Sequence, residues 1–311
     1  MPLIRPLAAV DLPETWRIVR TAFGTFLGDP DPANFWADRD LHTNRFHSSH
    51  IEGFVAEEDG VVVGSNFATR WGSVGFFGPL STTVERWNGG LAQPLVAAAC
   101  EAFERWGLTH AGLFTFPHST KHVHLYGKFG FHPRFLTALM TARARPGELP
   151  DYSHYSAMTD GRQAATDAAR ALCDAIYEGL DLTGEIEAVA AQGLGDTLLV
   201  WDGPSRLAAF AVCQWGPASE AGEGCLYIKF GAARPGPGVE ERFAALLDRA
   251  ALLAHAAGMR VVLAGVNLSH EAAYRQMQAT GFRPAFQGIA MHRGNEPGYC
   301  RPDVFAIDDW R

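Results

Sequence analysis

The sequence lacks long apolar runs: no stretch approaches the roughly 18 consecutive apolar residues that a membrane-spanning helix needs. It also shows no charged-then-apolar leader at its N-terminus. Hydrophobic residues make up 47% and charged residues 19% of the chain, which is ordinary for a globular protein. These features predict a cytoplasmic protein that does not act at a membrane.

Basic residues are too few for a nucleic-acid-binding surface. The chain carries 26 Lys and Arg against 34 Asp and Glu, a formal net charge of −8. Because nucleic-acid-binding proteins present a basic face, the balance argues against nucleic acid as a partner. An acidic chain is compatible with a cationic substrate such as an amine.

Cysteine is also scarce, with five scattered residues and no C-x-x-C pair. This distribution predicts neither a disulfide framework nor a zinc site, and it fits a reducing cytoplasm. The imidazoles of His118, His122 and His124 do not suggest a metal site, because their spacing places the third on another face of a helix. No acidic or thiol partner adjoins them, so the sequence predicts no metal.

The length of 311 residues predicts two domains, and the pattern of the chain repeats once. Each half contains a hairpin, a glycine-containing turn, an amphipathic helix, a strand, and a helix that ends in Gly-Phe, at Gly130 and at Gly281. We therefore predict an α/β fold with mixed sheets in two tandem domains, residues 1–145 and 161–293. A linker at 146–160 and a C-terminal arm at 294–311 complete the chain.

The glycine turn of the first half carries the most chemical information. The apolar strand Leu80–Val84 leads into Trp87-Asn88-Gly89-Gly90-Leu91-Ala92, and apolar residues then recur at helical spacing as far as Trp106. Free N–H groups at such a helix start bind phosphate, and Pro94 costs little in the first turn. Taken alone, the turn also fits an ordinary strand-to-helix connection.

Two motifs of the first half resemble those of the GNAT (N-acetyltransferase) superfamily. The run Ser119-Thr120-Lys121-His122-Val123-His124-Leu125-Tyr126-Gly127-Lys128-Phe129-Gly130-Phe131 resembles its closing motif, N-x-x-A-x-x-L-Y-x-K-x-G-F. The turn at Trp87–Ala92 resembles its (Q/R)-x-x-G-x-(G/A) pyrophosphate loop, and the resemblance covers about residues 3–143, with a fainter echo over 160–293. The sequence departs from the pattern at Trp87 (usually Gln or Arg), Ser119 (usually Asn) and His122 (usually small).

The resemblance implies acetyl-CoA as a co-substrate and assigns roles to residues of the first half. The strand Leu80–Val84 would splay from its neighbour and pair with pantetheine, and the Thr82 N–H would polarise the thioester carbonyl. Tyr126 would protonate the departing thiolate, with a core tyrosine as the alternative. The cofactor-binding residues implied are Leu80, Thr82, Val84, Trp87, Asn88, Gly89, Gly90, Leu91, Ala92, Ser119 and Tyr126.

The sequence says less about the general base and the acceptor. His118, at the end of the predicted strand Leu113–Phe116, is the candidate base, and an N-cap or solvent contact is the alternative. The predicted helix 34–47 would form the acceptor wall, and its polar residues either contact substrate or lie on a solvated face: Asp38, Asp40, His42 and His47. Aromatic residues favour an apolar or planar acceptor unless they belong to the core: Phe35, Trp36, Phe67, Trp71, Phe76 and Phe77.

The second half lacks the chemical groups of the first. Its turn, Ala233–Gly238, contains two prolines, which remove N–H donors from the place where phosphate would bind. Met277 stands where the first half has Tyr126, and Glu240 and Glu241 would repel a pyrophosphate. We predict a structural half that completes the substrate cavity or an internal interface; a live second site is the alternative.

We therefore predict an acetyl-CoA-dependent N-acyltransferase whose active site lies in the N-terminal domain. It would transfer acetyl to a small-molecule or other primary amine by direct attack on the thioester. The alternative from another class is a non-catalytic acyl-CoA-binding or regulatory tandem module. Under both interpretations we expect the protein to be a monomer, in which the two halves form an internal pseudo-dimer, or a homodimer.

Overall fold

A computed structural model describes residues 2–150 and 154–311, so residues 151–153 of the predicted linker lie outside the described residues. Within these ranges the chain forms thirteen strands and eight α-helices. The strands are β1 (Leu3–Pro6), β2 (Ile51–Glu58), β3 (Val61–Trp71), β4 (Val74–Phe77), β5 (Ser81–Thr82), β6 (His110–Thr115), β7 (Phe131–Arg143), β8 (Gly195–Trp201), β9 (Leu207–Gly216), β10 (Gly222–Ala233), β11 (Val261–Asn267), β12 (Arg283–Arg293) and β13 (Ala306–Ile307). The helices are α1 (Leu12–Leu27), α2 (His42–Phe46), α3 (Ala92–Arg105), α4 (Thr120–Gly127), α5 (Arg162–Ile176), α6 (Thr183–Gln192), α7 (Val239–Ala256) and α8 (Glu271–Ala279).

The two halves share one mixed sheet because each half places its last strand against the other. The strand order is β1-β2-β3-β4-β6-β12-β7-β11-β10-β9-β8, with β5 on β3 and β13 on β10. Strand β12 of the second half lies between β6 and β7 and is antiparallel to both, and β7 pairs with β11. The predicted α/β fold with a mixed sheet in two tandem repeats is confirmed. The domain boundaries at residues 145 and 161 stay predictions.

The sheet of the first half opens after β4. Strands β4 and β6 pair in parallel from Val74 with His110 to Phe77 with Leu113. Beyond Phe77 the chain leaves β6, and β5 pairs only with β3, its residue Thr82 lying opposite Gly64. The strand predicted at 80–84 is thus the short β5, and a cleft separates it from β6.

The sheet of the second half diverges at the equivalent place, but a strand fills the gap. Strands β10 and β11 pair in parallel between Cys225–Ile228 and 261–264. Further along, Gly231 and Ala232 of β10 pair with β13 instead, and the N–H of Ala233 donates to the oxygen of Phe305 at 3.0 Å. The predicted C-terminal arm therefore includes a buried strand inside the second cleft.

Apolar spacing explains how the helices cover the sheet. In α3, Leu95, Ala99 and Phe103 are four residues apart, lie on one face and are all buried. They join a core with Phe77 of β4, so the helix start is fixed beside the first cleft.

A separate core joins the two halves. The indole of Trp71 lies 4.7 Å from the ring of Phe76 and 5.4 Å from that of Phe230 in the second half. Both halves therefore fold around shared apolar side chains, which fixes their relative positions. All five cysteines are free and buried. Among the helices of the described residues, none is long and apolar enough to cross a membrane.

Candidate active site

A cavity of about 690 Å³ lies in the first cleft, between β5 and β6. Ligand pockets in proteins commonly occupy about 300–1,000 Å³. The first half contributes α1 and the segment after it, β5, the glycine turn, β6 and α4, and the second half contributes residues from β11, β12 and the C-terminal segment. Aromatic side chains form much of the wall: Phe23, Phe26, Phe35, Trp36, Phe77, Phe114, Phe116, Phe286 and Trp310.

The glycine turn leaves main-chain donors free beside the cavity. Asn88 and Gly90 adopt left-handed conformations, with φ of 65° and 79°, just before α3 begins at Ala92. Within the described part of the chain, the N–H groups of Asn88, Gly90, Leu91 and Ala92 have no main-chain acceptor. The start of α3 can therefore bind an anionic group such as a pyrophosphate through its own N–H groups.

Strand β5 directs one N–H into the cleft. The N–H of Thr83 donates to the oxygen of Val63 on β3 at 2.9 Å. Because neighbouring residues of an antiparallel strand point their N–H groups to opposite sides, the Thr82 N–H faces away from β3 and into the cleft. The indole N–H of Trp87 donates to the Thr82 oxygen at 3.3 Å, which ties the glycine turn to β5.

Tyr126 of α4 reaches the cavity from the other side of the cleft. Its side chain is only 7% exposed, lines the cavity, and packs edge-on against Phe77 with ring centroids 5.5 Å apart. Burial raises the pKa of Tyr126 well above its usual value, and a hydrogen bond with Thr115 opposes this only in part. The phenol therefore keeps its proton at neutral pH and can act as a donor.

Two imidazoles line the cavity, those of His122 and His124, and the predicted base His118 is not one of them. His118 is exposed, lies outside the cavity lining, and stacks on Phe26 with ring centroids 5.7 Å apart. The Nδ1 atom of His122 is buried and has no hydrogen-bond partner among the described residues. Burial lowers the pKa of His122 to about 4, so this ring is neutral at pH 7.

The other residues predicted to bind the cofactor fall into three groups, according to which pocket they line. Leu80, Trp87, Asn88, Gly90, Leu91 and Ala92 line the cavity. Gly89 lines an adjoining pocket of about 390 Å³ beside Glu58 and Glu85. Val84 and Ser119 are in neither lining; Ser119 is buried, and its main-chain oxygen accepts the N–H groups of His122 and Val123 in α4.

Comparison with known proteins agrees with this geometry. Residues 13–131 match the family described as the acetyltransferase (GNAT) family. The match covers a GNAT domain within the first half of the chain only. A putative acetyltransferase from Pyrococcus horikoshii has a TM-score of 0.67 at 14% identity, over 99% of this chain and 95% of that one. A search of curated proteins gave no match.

Two further solved structures share this fold. A GCN5-related N-acetyltransferase from Sphaerobacter thermophilus has a TM-score of 0.58 at 16% identity, with 96% of each chain covered. A tandem GNAT protein from the clavulanic acid biosynthesis pathway has a TM-score of 0.57 at 14% identity, over 94% of this chain and 98% of that one. At these identities the likeness concerns the fold alone.

The acceptor wall differs from the predicted continuous helix. The carboxylate of Asp40 accepts the N–H groups of His42 and Thr43 at 2.9 Å, so α2 begins only there. His42 is fully buried, with its Nδ1 atom 3.0 Å from the hydroxyl of Thr15, and therefore belongs to the core. Asp38 binds Arg39, which does line the cavity.

Only some of the remaining residues predicted for the acceptor site line the cavity. His47 is exposed and lies outside the cavity lining. Of the six aromatic residues named from the sequence, Phe67, Trp71 and Phe76 are core residues. The other three line the cavity: Phe35, Trp36 and Phe77.

A buried group of charges, missed from the sequence, forms the floor of the cavity. The Nε and Nη2 atoms of Arg45 donate to both carboxylate oxygens of Glu220, at 2.9 and 2.8 Å, and Lys229 donates to the same carboxylate at 3.1 Å. Arg45 and Lys229 also donate to the main-chain oxygen of Arg311, at 2.7 and 2.9 Å. One signal was present: Lys229 is a charged residue inside an apolar strand.

The C-terminal segment is held by a second buried network. The hydroxyl of Tyr299 donates to Asp308 at 2.8 Å and accepts the indole N–H of Trp310 at 2.7 Å. The hydroxyl of Tyr227 donates to Asp309 at 2.8 Å. Burial raises the pKa of Asp308 to about 7, so its carboxyl group loses its proton in the folded state only near neutral pH.

We expect Asp308→Asn to stabilise the protein more at pH 8 than at pH 5. The unfolded chain releases the Asp308 proton at about pH 4, whereas the folded chain holds it to about 7. Folding stability is therefore lost as pH rises through this window, by up to about 4 kcal/mol. Urea unfolding of both proteins at the two pH values measures the effect, and an equal difference at both would contradict it.

Proposed function

We propose that the protein is an acetyl-CoA-dependent N-acetyltransferase that acts on a primary amine and has one active site, in its N-terminal half. One observation supports this most: a single cavity joins the free N–H groups of the glycine turn, the Thr82 N–H and the Tyr126 hydroxyl. These are the groups that a thioester with a pyrophosphate at its far end requires.

Each group has a separate task. Acetyl-CoA supplies the thioester. The turn from Asn88 to Ala92 holds the pyrophosphate, and β5 pairs with the extended arm of the co-substrate along its open edge. The Thr82 N–H donates to the carbonyl oxygen as negative charge develops there. The amine attacks the carbonyl carbon, the carbon–sulfur bond breaks, and the thiolate leaves towards Tyr126.

The environment of Tyr126 defines what it does. A thiol has an ordinary pKa of about 8.5, below that of the buried phenol. Complete proton transfer to the thiolate is therefore uphill, and Tyr126 acts mainly by donating a hydrogen bond to the developing charge. The amine loses its proton to water, because the imidazole of His122 in the cavity lining, with its pKa lowered to about 4, is a weak proton acceptor.

Three features support a single site. Strand β13 pairs with β10 where an extended ligand would lie in the second half. The turn before α7 contains Pro235 and Pro237, and the side chain of Arg242 donates to the oxygen of Arg234 there. Met277, which replaces the tyrosine, is fully buried. Calorimetry should therefore give one acetyl-CoA bound per chain.

Release of free thiol from acetyl-CoA with a panel of primary amines tests the proposal. Since all five cysteines are buried, a thiol-reactive dye should report CoA with little background from the protein. We expect thiol release that depends on the amine and a product heavier by one acetyl group. Tight acetyl-CoA binding with no transfer to any amine would favour the non-catalytic binding module instead.

We expect Tyr126→Phe to lower kcat by about tenfold to a hundredfold while acetyl-CoA affinity stays unchanged, because only the donor to the thiolate is lost. Tyr274→Phe is the matched control, since Tyr274 lies on α8 of the second half and its hydroxyl accepts a hydrogen bond only from Gln278 among the described residues. Steady-state kinetics and calorimetry measure both quantities. An unchanged kcat for Tyr126→Phe would remove Tyr126 from the mechanism.

A further inference from the structure

A row of aromatic rings leads away from Tyr126 along the cavity wall. The ring of His122 lies 6.4 Å from that of Tyr126 and 5.1 Å from that of Phe26. Beyond Phe26 each ring contacts the next, with centroids 4.8, 6.1 and 5.1 Å apart, in the order Phe116, Phe23 and Trp36. All members of this aromatic row line the cavity. The row therefore runs from the residue beside the proposed thioester to the segment predicted as the acceptor wall.

The rings of the aromatic row beyond Tyr126 are not closed into the core. All of them are half-buried, whereas the core rings of Phe76 and Phe103 are 0% and 2% exposed. Covering the open face of a half-buried ring removes further apolar surface from water, which is favourable. The row is thus a preformed surface for the apolar body of a ligand.

Phe286 of the second half extends this surface. Its side chain is 38% exposed, lines the cavity, and packs edge-on against Phe116 with ring centroids 5.9 Å apart. It lies on β12 where pairing with β7 shifts register between Pro284 and Phe286. Such irregularities commonly re-aim a side chain next to an active site. An exposed ring that continues a cavity wall is typical of a residue that contacts a ligand.

The charges of the cavity do not suit a substrate with several ammonium groups. Glu220 is the one carboxylate of the lining within the described part of the chain. Both of its oxygens accept hydrogen bonds from Arg45, and one also accepts from Lys229. Arg45 and Lys229 hold the pKa of Glu220 down at about 2, so it stays ionised and fully paired. A second ammonium group would therefore lose its hydration without gaining a free carboxylate.

We propose that the acyl acceptor is an arylalkylamine, a primary amine joined to an aromatic ring by a short chain, and that Phe286 is a specificity-determining residue for it. The aryl ring packs on the aromatic row and on Phe286, and the amine lies towards Tyr126. Aromatic pairs gain more than their buried area alone provides, so the site prefers an aryl ring to an aliphatic one of equal size. The inference rests on the proposed function, since it names the acceptor of the same reaction.

Acetyl transfer to three amines tests the preference. We expect kcat/KM for 2-phenylethylamine to exceed that for 2-cyclohexylethylamine by about twofold to tenfold, because only the first ring is aromatic. Spermidine should be poorer than 2-phenylethylamine by about a hundredfold or more, because its additional ammonium groups find no free carboxylate. Transfer to spermidine as fast as to 2-phenylethylamine would overturn the inference and leave the proposed function standing.

Variants of Phe286 test its part in the preference. We expect Phe286→Ala to lower kcat/KM for 2-phenylethylamine by about tenfold and to remove most of the preference for the aryl ring. Phe286→Leu should also lose the preference but keep more of the overall rate, since it keeps an apolar contact. Phe135→Ala is the matched control, because Phe135 is 41% exposed and lies outside the cavity lining. An unchanged preference in both Phe286 variants would overturn the role of Phe286.

Binding of 2-phenylethanol, measured by calorimetry in the presence of CoA, separates the two proposals. This ligand has the aryl ring but no amine, so its binding does not depend on acetyl transfer. We expect it to bind the wild type and Phe135→Ala equally, and Phe286→Ala about tenfold more weakly. Such binding without transfer to any amine would support the aryl site and contradict the proposed function. Equal binding to all three proteins would contradict the aryl site.

Discussion

Acetyl-CoA binding should weaken by about a hundredfold or more in Gly90→Val, because two or more charge-assisted bonds to pyrophosphate are lost. Gly90 has φ of 79°, a conformation that a β-branched residue adopts only under strain. Its free N–H adjoins those of Leu91 and Ala92, so a side chain here also separates the ligand from the donors. Calorimetry with acetyl-CoA measures the loss.

The second half offers a control with the same backbone geometry. Gly238 also has φ of 79° and precedes α7 as Gly90 precedes α3. Gly238→Val therefore carries a similar backbone strain but should bind acetyl-CoA as the wild type does. If both variants lose binding equally, the loss reflects strain or a second site, and the assignment of pyrophosphate to the first turn fails.

Glu220→Ala should destabilise the fold by about 3–5 kcal/mol, the usual effect of breaking a buried ion pair. Arg45 and Lys229 are 1% and 3% exposed, and without the carboxylate they would face each other as unpaired like charges. The same contact makes wild-type stability fall in acid. Glu220 stabilises the fold above its ordinary pKa of about 4.5, and this contribution disappears as pH drops towards 2.

Urea unfolding at pH 7 measures this effect, and two variants sharpen it. Glu104→Ala removes an exposed pair with Arg293 and should cost at most about 1 kcal/mol. Adding Lys229→Met to Glu220→Ala removes one of the two repelling charges and should restore part of the stability. A loss for Glu220→Ala no larger than that for Glu104→Ala would mean that the buried charges do not support the fold.

The sequence predicted the cleft of the first half well because its signals are local. The glycine turn, the helix that follows and the tyrosine helix each depend on residues within a few positions of one another. The helix expected from Leu91 begins at Ala92, and Tyr126 lines the cavity. The expected helix at 34–47 was wrong in extent, because the side chain of Asp40 starts a short helix within that range.

By itself, the sequence determined the α/β repeat, the glycine turn of the first half and the proline-containing turn at the equivalent place in the second, since proline and glycine act on their own backbone. Only the tertiary structure decided the exchange of β7 and β12, the filling of the second cleft by β13 and the charged floor of the cavity. Arg45 and Glu220 are 175 residues apart. A pairing over such a distance leaves no periodic pattern, because it depends on how the sheet brings the two halves together.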